Sequence, residues 1–80
     1  MIQQPSGEES YQRGKNCDDK EGIEEKARWF RLAADQGHAI AQYELGVMCA
    51  TSRGVSQSDT EAVHWWRLSA DQGNTSAQIN

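Results

Sequence analysis

The sequence predicts an all-α chain of antiparallel helix-turn-helix repeats, a short α-solenoid. Two observations carry this. Residues 29–37 read Trp-Phe-Arg-Leu-Ala-Ala-Asp-Gln-Gly and return as Trp-Trp-Arg-Leu-Ser-Ala-Asp-Gln-Gly at 65–73. The spacing is 36 residues, and aligning 24–42 with 60–78 pairs ten identical residues. Chance would supply about one, at roughly 5% per residue type. A period of this size marks stacked repeats. Each copy also combines apolar residues at helical spacing with a glycine stop.

Residues 1–20 are rich in Gln, Ser, Glu, Asp and Lys, and offer Ile2, Tyr11 and Cys17 as their main burial candidates. So little apolar surface does not offset ordering entropy. The expectation is a poorly ordered segment over 1–21, with a single helical turn near 8–13. The repeat region then covers 22–80, one complete hairpin flanked by partial repeats.

A helix is expected from Gly22 or Ile23. Glu24 and Glu25 complement the positive end of its dipole, and Gly22 serves as N-cap. Ala27, Phe30, Ala33 and Ala34 form one face, widened by Trp29 and Leu32. Gly37 ends it, because glycine takes the left-handed C′ conformation without penalty.

The next helix is expected over 39–50. Ala41, Leu45, Met48 and Cys49 share one side, and Tyr43, Val47 and Ala50 the other. Gly46 costs about 0.8–1 kcal/mol against Ala in a helix, so close approach of a neighbouring helix is its expected reason. Residues 51–57 form a loop turning at Gly54.

The last helix opens on a capping box, Ser58 and Glu61. Ala62, Trp65, Trp66, Ser69 and Ala70 supply its buried side, and Gly73 closes it. Residues 76–80 match the opening of the preceding repeat helix. Ala77 and Ile79 stand where a covering helix begins.

Taken together, Ala41-x-x-x-Leu45-Gly46, Gly54-Val55, Asp59, Glu61-Ala62-Val63-x-Trp65-x-Arg67-x-x-Ala70-x-Gln72-Gly73 resembles the Sel-1-like repeat family, a branch of the tetratricopeptide-type solenoids. The resemblance covers about 23–80. Cys49 stands where the family usually has Tyr, and Ser52 where it has a loop Gly. Tyr11-x-x-Gly14 reads as the eroded end of a preceding helix, which would make the connection to Trp29 two residues longer than in the later copy. The resemblance implies a protein–protein interaction scaffold without chemistry of its own. It places the first helix of each pair, with Tyr43, Val47 and Ala50, on a concave partner-binding surface. Flanked by Gln42 and Glu44, this stripe could receive a peptide or partner helix; cover by neighbouring partial repeats is the alternative.

Other functions lack residues. The net charge is −4 with mixed signs, against a nucleic-acid partner, which needs a clustered basic face. No apolar run approaches the ~20 residues of a membrane span. Residues 1–10 lack a basic start followed by an apolar run, so a cytoplasmic location is expected on this chain. His38 and His64 sit at no recurring ligand spacing, so no metal is expected. Cys49 reads as a small buried hydrophobe. Cys17 lies beside Asp18 and Asp19, which disfavour a thiolate; a Cys17–Cys49 disulfide stays open. Trp29 and Trp65 recur with the repeat and read as packing residues. Asp35 and Asp71, each before Gln-Gly, read as turn residues. No Ser/His/Asp or Cys/His set and no phosphate loop points to an enzyme or a cofactor. A remnant of a longer repeat protein without independent function and a small hydrolase are the competing readings. With few repeats, self-association through open repeat ends is a further expectation.

Overall fold

The computed structural model of the chain describes residues 5–73. Among them are four helices: α1 (Gly7–Lys15), α2 (Ile23–Asp35), α3 (Ala39–Thr51) and α4 (Asp59–Asp71). Consecutive helices pack on each other, α1 on α2, α2 on α3 and α3 on α4. The result is an all-α repeat array 37 × 26 × 17 Å in extent. The thin axis is less than twice the ~10–12 Å diameter of a helix with its side chains, so the body is two helix layers deep. Ala77 and Ile79 lie outside the described residues.

Local signals set the helix limits. Ser58 Oγ accepts from the Glu61 amide at 3.2 Å and starts α4. The carboxylate of Glu61, which a reciprocal capping box would turn back, reaches Arg31 on α2 instead, at 3.5 Å. Gly22 precedes α2 without a side-chain cap. Gly37 and Gly73 follow α2 and α4 with φ of 87° and 86°, the left-handed turn that other residues adopt at a cost. His38 caps α3, its Nδ1 accepting from the Ala41 amide at 3.1 Å.

The core is the face the sequence marks. Ala27, Phe30, Ala33 and Ala34 of α2 are buried against Ala41, Leu45, Met48 and Cys49 of α3, and Ala62 and Trp65 of α4 complete the cluster. Ser69 is also buried, and its hydroxyl donates to the Ala39 carbonyl at 2.7 Å. Trp66 and Ala70 are only half-buried.

The N-terminal segment departs from expectation. Residues 7–15 form a nine-residue helix rather than a single turn. Ser6 Oγ accepts from the Glu9 amide at 3.1 Å, Glu8 and Glu9 occupy the first turn, and Arg13 and Lys15 the last. These caps and charges suit both ends of the dipole. The helix needs no apolar stripe because it docks through small residues: Ser10 and Gly14 are its buried ones. A Cβ on Gly14 would lie 2.6 Å from the Phe30 ring. So α2 is not the lone second half of a hairpin. It is paired with α1, as α4 is with α3.

The two hairpins differ in length. Gly46 of α3 lies against Trp66, where a Cβ would come within 2.6 Å of Nε1. Gly14 lies against Phe30, which stands 36 residues before Trp66. Gly14 therefore corresponds to Gly46, and Ser6 to His38, both N-caps, at an offset of 32. Gly14 stands 16 positions before Phe30 and Gly46 stands 20 before Trp66, so the first hairpin is four residues shorter here, not two longer, although the connections 16–22 and 52–58 are both seven residues. The missing residues are the last turn of the first helix: α1 stops at Lys15, the counterpart of Val47, while α3 runs on to Thr51.

Candidate functional site

The absent turn has a structural consequence. In the second hairpin the last turn of α3 carries the buried Met48 and Cys49, and Ala62 and Trp65 of α4 are 1% and 7% exposed. Their counterparts on α2, 36 residues earlier, are Lys26 and Trp29. Trp29 is left half-buried, with the Arg13 guanidinium 5.2 Å from its ring centre. Lys26 occupies a slot that is buried in the other copy.

A cleft of about 230 Å³ opens here, lined by Asp19, Ile23, Lys26, Phe30, Glu44, Val47, Met48 and Arg53. Ile23, Phe30, Val47 and Met48 form its apolar part. Lys26 lays its stem along this floor, only 11% exposed, and its Nζ meets Asp19 at 3.1 Å. The same ammonium lies 5.3 Å from the centre of the Phe30 ring, a distance at which cation–π attraction acts. Arg53 reaches across from beyond α3, its guanidinium donating to the Asp19 carbonyl at 3.5 Å. Asp18 holds the connection in shape by accepting from the Lys20 and Glu21 amides at 2.6 and 2.9 Å. Those two bonds keep the Asp18 carboxyl below its usual range.

Beside the cleft, α1 and the start of α3 are tied by aromatic and hydrogen-bonding contacts. The Tyr11 ring stacks on Phe30 and on His38, with centroids 5.5 and 4.6 Å apart. Burial raises the Tyr11 pKa, helped by the Glu44 and Glu8 carboxylates. Because His38 Nδ1 accepts the cap bond, the neutral ring carries its proton on Nε2, which donates to Glu8 at 2.9 Å. Glu8 also accepts from Gln12, and these two bonds, that from Gln12 first, lower its pKa.

Of the residues the sequence proposes for partner binding, Val47 lines the cleft. Tyr43 is half-buried and its carbonyl accepts from Trp66 Nε1 at 3.3 Å. Ala50 packs against the core, and its carbonyl accepts from Gln57. Neither Tyr43 nor Ala50 enters the cleft. Gln42 is not an exposed flank: it is 3% exposed, donates to the Ala34 carbonyl and accepts from Gln72. Asp19, Lys26, Phe30 and Arg53 escape a reading by helical face alone. The signal for them is a lysine at a position that the other repeat gives to alanine.

Features that could suggest chemistry have structural duties. Cys49 is fully buried and its thiol pKa is raised, by burial first and the Glu61 carboxylate second, so it stays protonated. Cys17 and Cys49 are both free thiols, which closes the disulfide question in this structure. No group of three or more His, Cys, Asp or Glu residues able to hold a metal occurs among the described residues. No helix among them is long and apolar enough to cross a membrane.

The Sel1 repeat family model matches residues 27–38 and 39–74. This chain belongs to the Sel1 repeat family. A solved structure of a Sel1 repeat protein from Oxalobacter formigenes superposes with a TM-score of 0.82 at 31% identity, over 91% of this chain and 32% of that one. The present chain thus spans about a third of that protein's length. A comparison with curated proteins returns no match. Sel1 repeats are typically protein-interaction modules and generally non-catalytic.

Proposed function

We propose that this Sel1 repeat chain is a peptide-binding scaffold and that the cleft between α2 and α3 is its recognition site. The observation that carries this is the apolar floor of Ile23, Phe30, Val47 and Met48, ringed by Asp19, Lys26, Glu44 and Arg53. An apolar floor with a few placed polar groups is the general form of a recognition site. Its volume of about 230 Å³ suits one or two side chains, not a folded domain. Met48 and Cys49, on the turn of α3 that α1 lacks, are buried in the core, which supports a side chain of similar size as the anchor. The ligand is therefore an extended or helical peptide presenting a Met- or Leu-sized side chain. Charged neighbours on the peptide would meet Arg53 and Glu44.

Selection of peptides from a random display library on the immobilised 80-residue chain tests this. The selected peptides should share one apolar anchor. Val47→Asp should weaken them by about a hundredfold, since a carboxylate would be desolvated under the anchor. Peptides that bind the variant as well as the parent, or a selection that enriches nothing, would remove the proposal.

A further inference from the structure

A second surface stands apart from the cleft, on the outer side of α4. We propose that the row Asp59, Val63 and Arg67 pairs with the same row of a second copy of this chain, antiparallel about a two-fold axis through Val63.

The row follows helical spacing, each residue four after the last, and faces away from the buried Ala62, Trp65 and Ser69. Asp59, Thr60, Val63, His64 and Arg67 line one open hollow. Val63 is 42% exposed. Asp59 and Arg67 are exposed and make no ion pair among the described residues.

The fold shows how such a row is used. One period earlier the same positions on α2 are Ile23, Ala27 and Arg31. There Ala27 is 2% exposed, with Gly54 and Val55 packed over it, and Arg31 pairs with Glu61 of the next hairpin. An apolar centre is covered and an arginine is held by a carboxylate. The row on α4 continues that interface, and it carries its own complement. Two copies laid antiparallel across Val63 bring Asp59 level with Arg67 of the second copy, and Arg67 level with its Asp59. The two sites lie about 12 Å apart along each helix at 1.5 Å per residue, so both ion pairs form together. A two-fold contact of this kind is self-complementary and closes on itself.

Head-to-tail growth is disfavoured by α1. At the positions where α3 offers Ala41 and Leu45 to its preceding helix, α1 carries Glu9 and Arg13, both exposed. Such a polar outer face is what a terminal capping helix presents.

The patch is far smaller than the 20–30 residues a side of a standard interface, so the dimer should be reversible, with Kd of about 0.1–1 mM. Sedimentation equilibrium of the 80-residue chain up to about 1 mM in low salt reads it directly. A monomer–dimer equilibrium is expected, weakened about tenfold or more by Val63→Asp. Asp59→Arg and Arg67→Asp should each abolish self-association, because each sets like charges opposite one another. Mixing those two variants should restore a dimer, since every pair is then of opposite sign. All three side chains are exposed, so circular dichroism should show each variant folded. A chain that stays monomeric at the highest concentration would overturn the proposal, leaving the row to another segment of the same chain or to solvent. A dimer indifferent to Val63→Asp and to both charge reversals would overturn it too.

Discussion

At the scale of single residues, close approach rather than bulk decides the packing. Gly46 is buried, and a Cβ there would meet Trp66 at 2.6 Å and the Ala62 carbonyl at 3.2 Å. The Trp66 indole is not a loose end that can swing aside, since its Nε1 donates to the Tyr43 carbonyl. Gly46→Ala gains about 1 kcal/mol of helix propensity but incurs an overpacking cost of about 1–3 kcal/mol. The expected outcome is a net loss of up to about 2 kcal/mol in urea denaturation, with Trp66 fluorescence altered. Stabilisation instead would mean that α3 and α4 separate easily. His38 shows a different residue-scale effect. Its ring caps α3, stacks on Tyr11 and meets Glu8, so one side chain ties α1 to the start of α3.

At the scale of elements, α1 is where the sequence and the fold part company. Deleting residues 1–15 should be silent if they are poorly ordered. In the folded chain it uncovers Phe30, which is 2% exposed beneath Gly14 and Tyr11. Exposing one Phe side chain forfeits about 1.5–3 kcal/mol, a large part of the stability of a domain this small. The truncated chain should therefore melt well below the parent, or without a cooperative transition, when followed by circular dichroism. An unchanged melting curve would show α1 to be a passenger. The other helices are legible because α2 and α4 repeat an apolar face at a period of 36 and stop at a glycine, while α3 carries its own apolar face and ends at a left-handed Ser52. The face 27, 30, 33, 34 is buried as its spacing predicts. Helix α1 lacks such a face, so its polarity reads as disorder. Its register with α3 depends on one contact, glycine under an aromatic ring, that the motif Tyr11-x-x-Gly14 misplaces. The cleft is illegible for the same reason. It lies beside the end of a helix four residues shorter than its counterpart, and that difference shows only when α1 and α3 are aligned through Gly14 and Gly46.

At the scale of the whole molecule, stability and recognition pull against each other in the first hairpin. Helices pack mainly on their neighbours in sequence, so stability is close to a sum over hairpins and the interfaces between them. The second hairpin keeps the last turn of its first helix; the first gives it up, with Trp29 half-buried and Lys26 in a slot where its counterpart is alanine. If that gap is the recognition site, filling it should raise stability and remove binding together. The test is a graft: residues 16–21 replaced by the ten residues 48–57, combined with Lys26→Ala to match Ala62. Trp29 should then be as protected from acrylamide quenching as Trp65. Each kcal/mol gained should raise Tm by about 4–8 °C in a domain of this size. Peptides selected on the parent chain should lose their affinity for the graft. A graft that melts higher and still binds them would move the recognition site away from the gap. One that melts lower with Trp29 still accessible would show that the short first helix is what the first hairpin requires, and that the missing turn was never a vacancy in its packing.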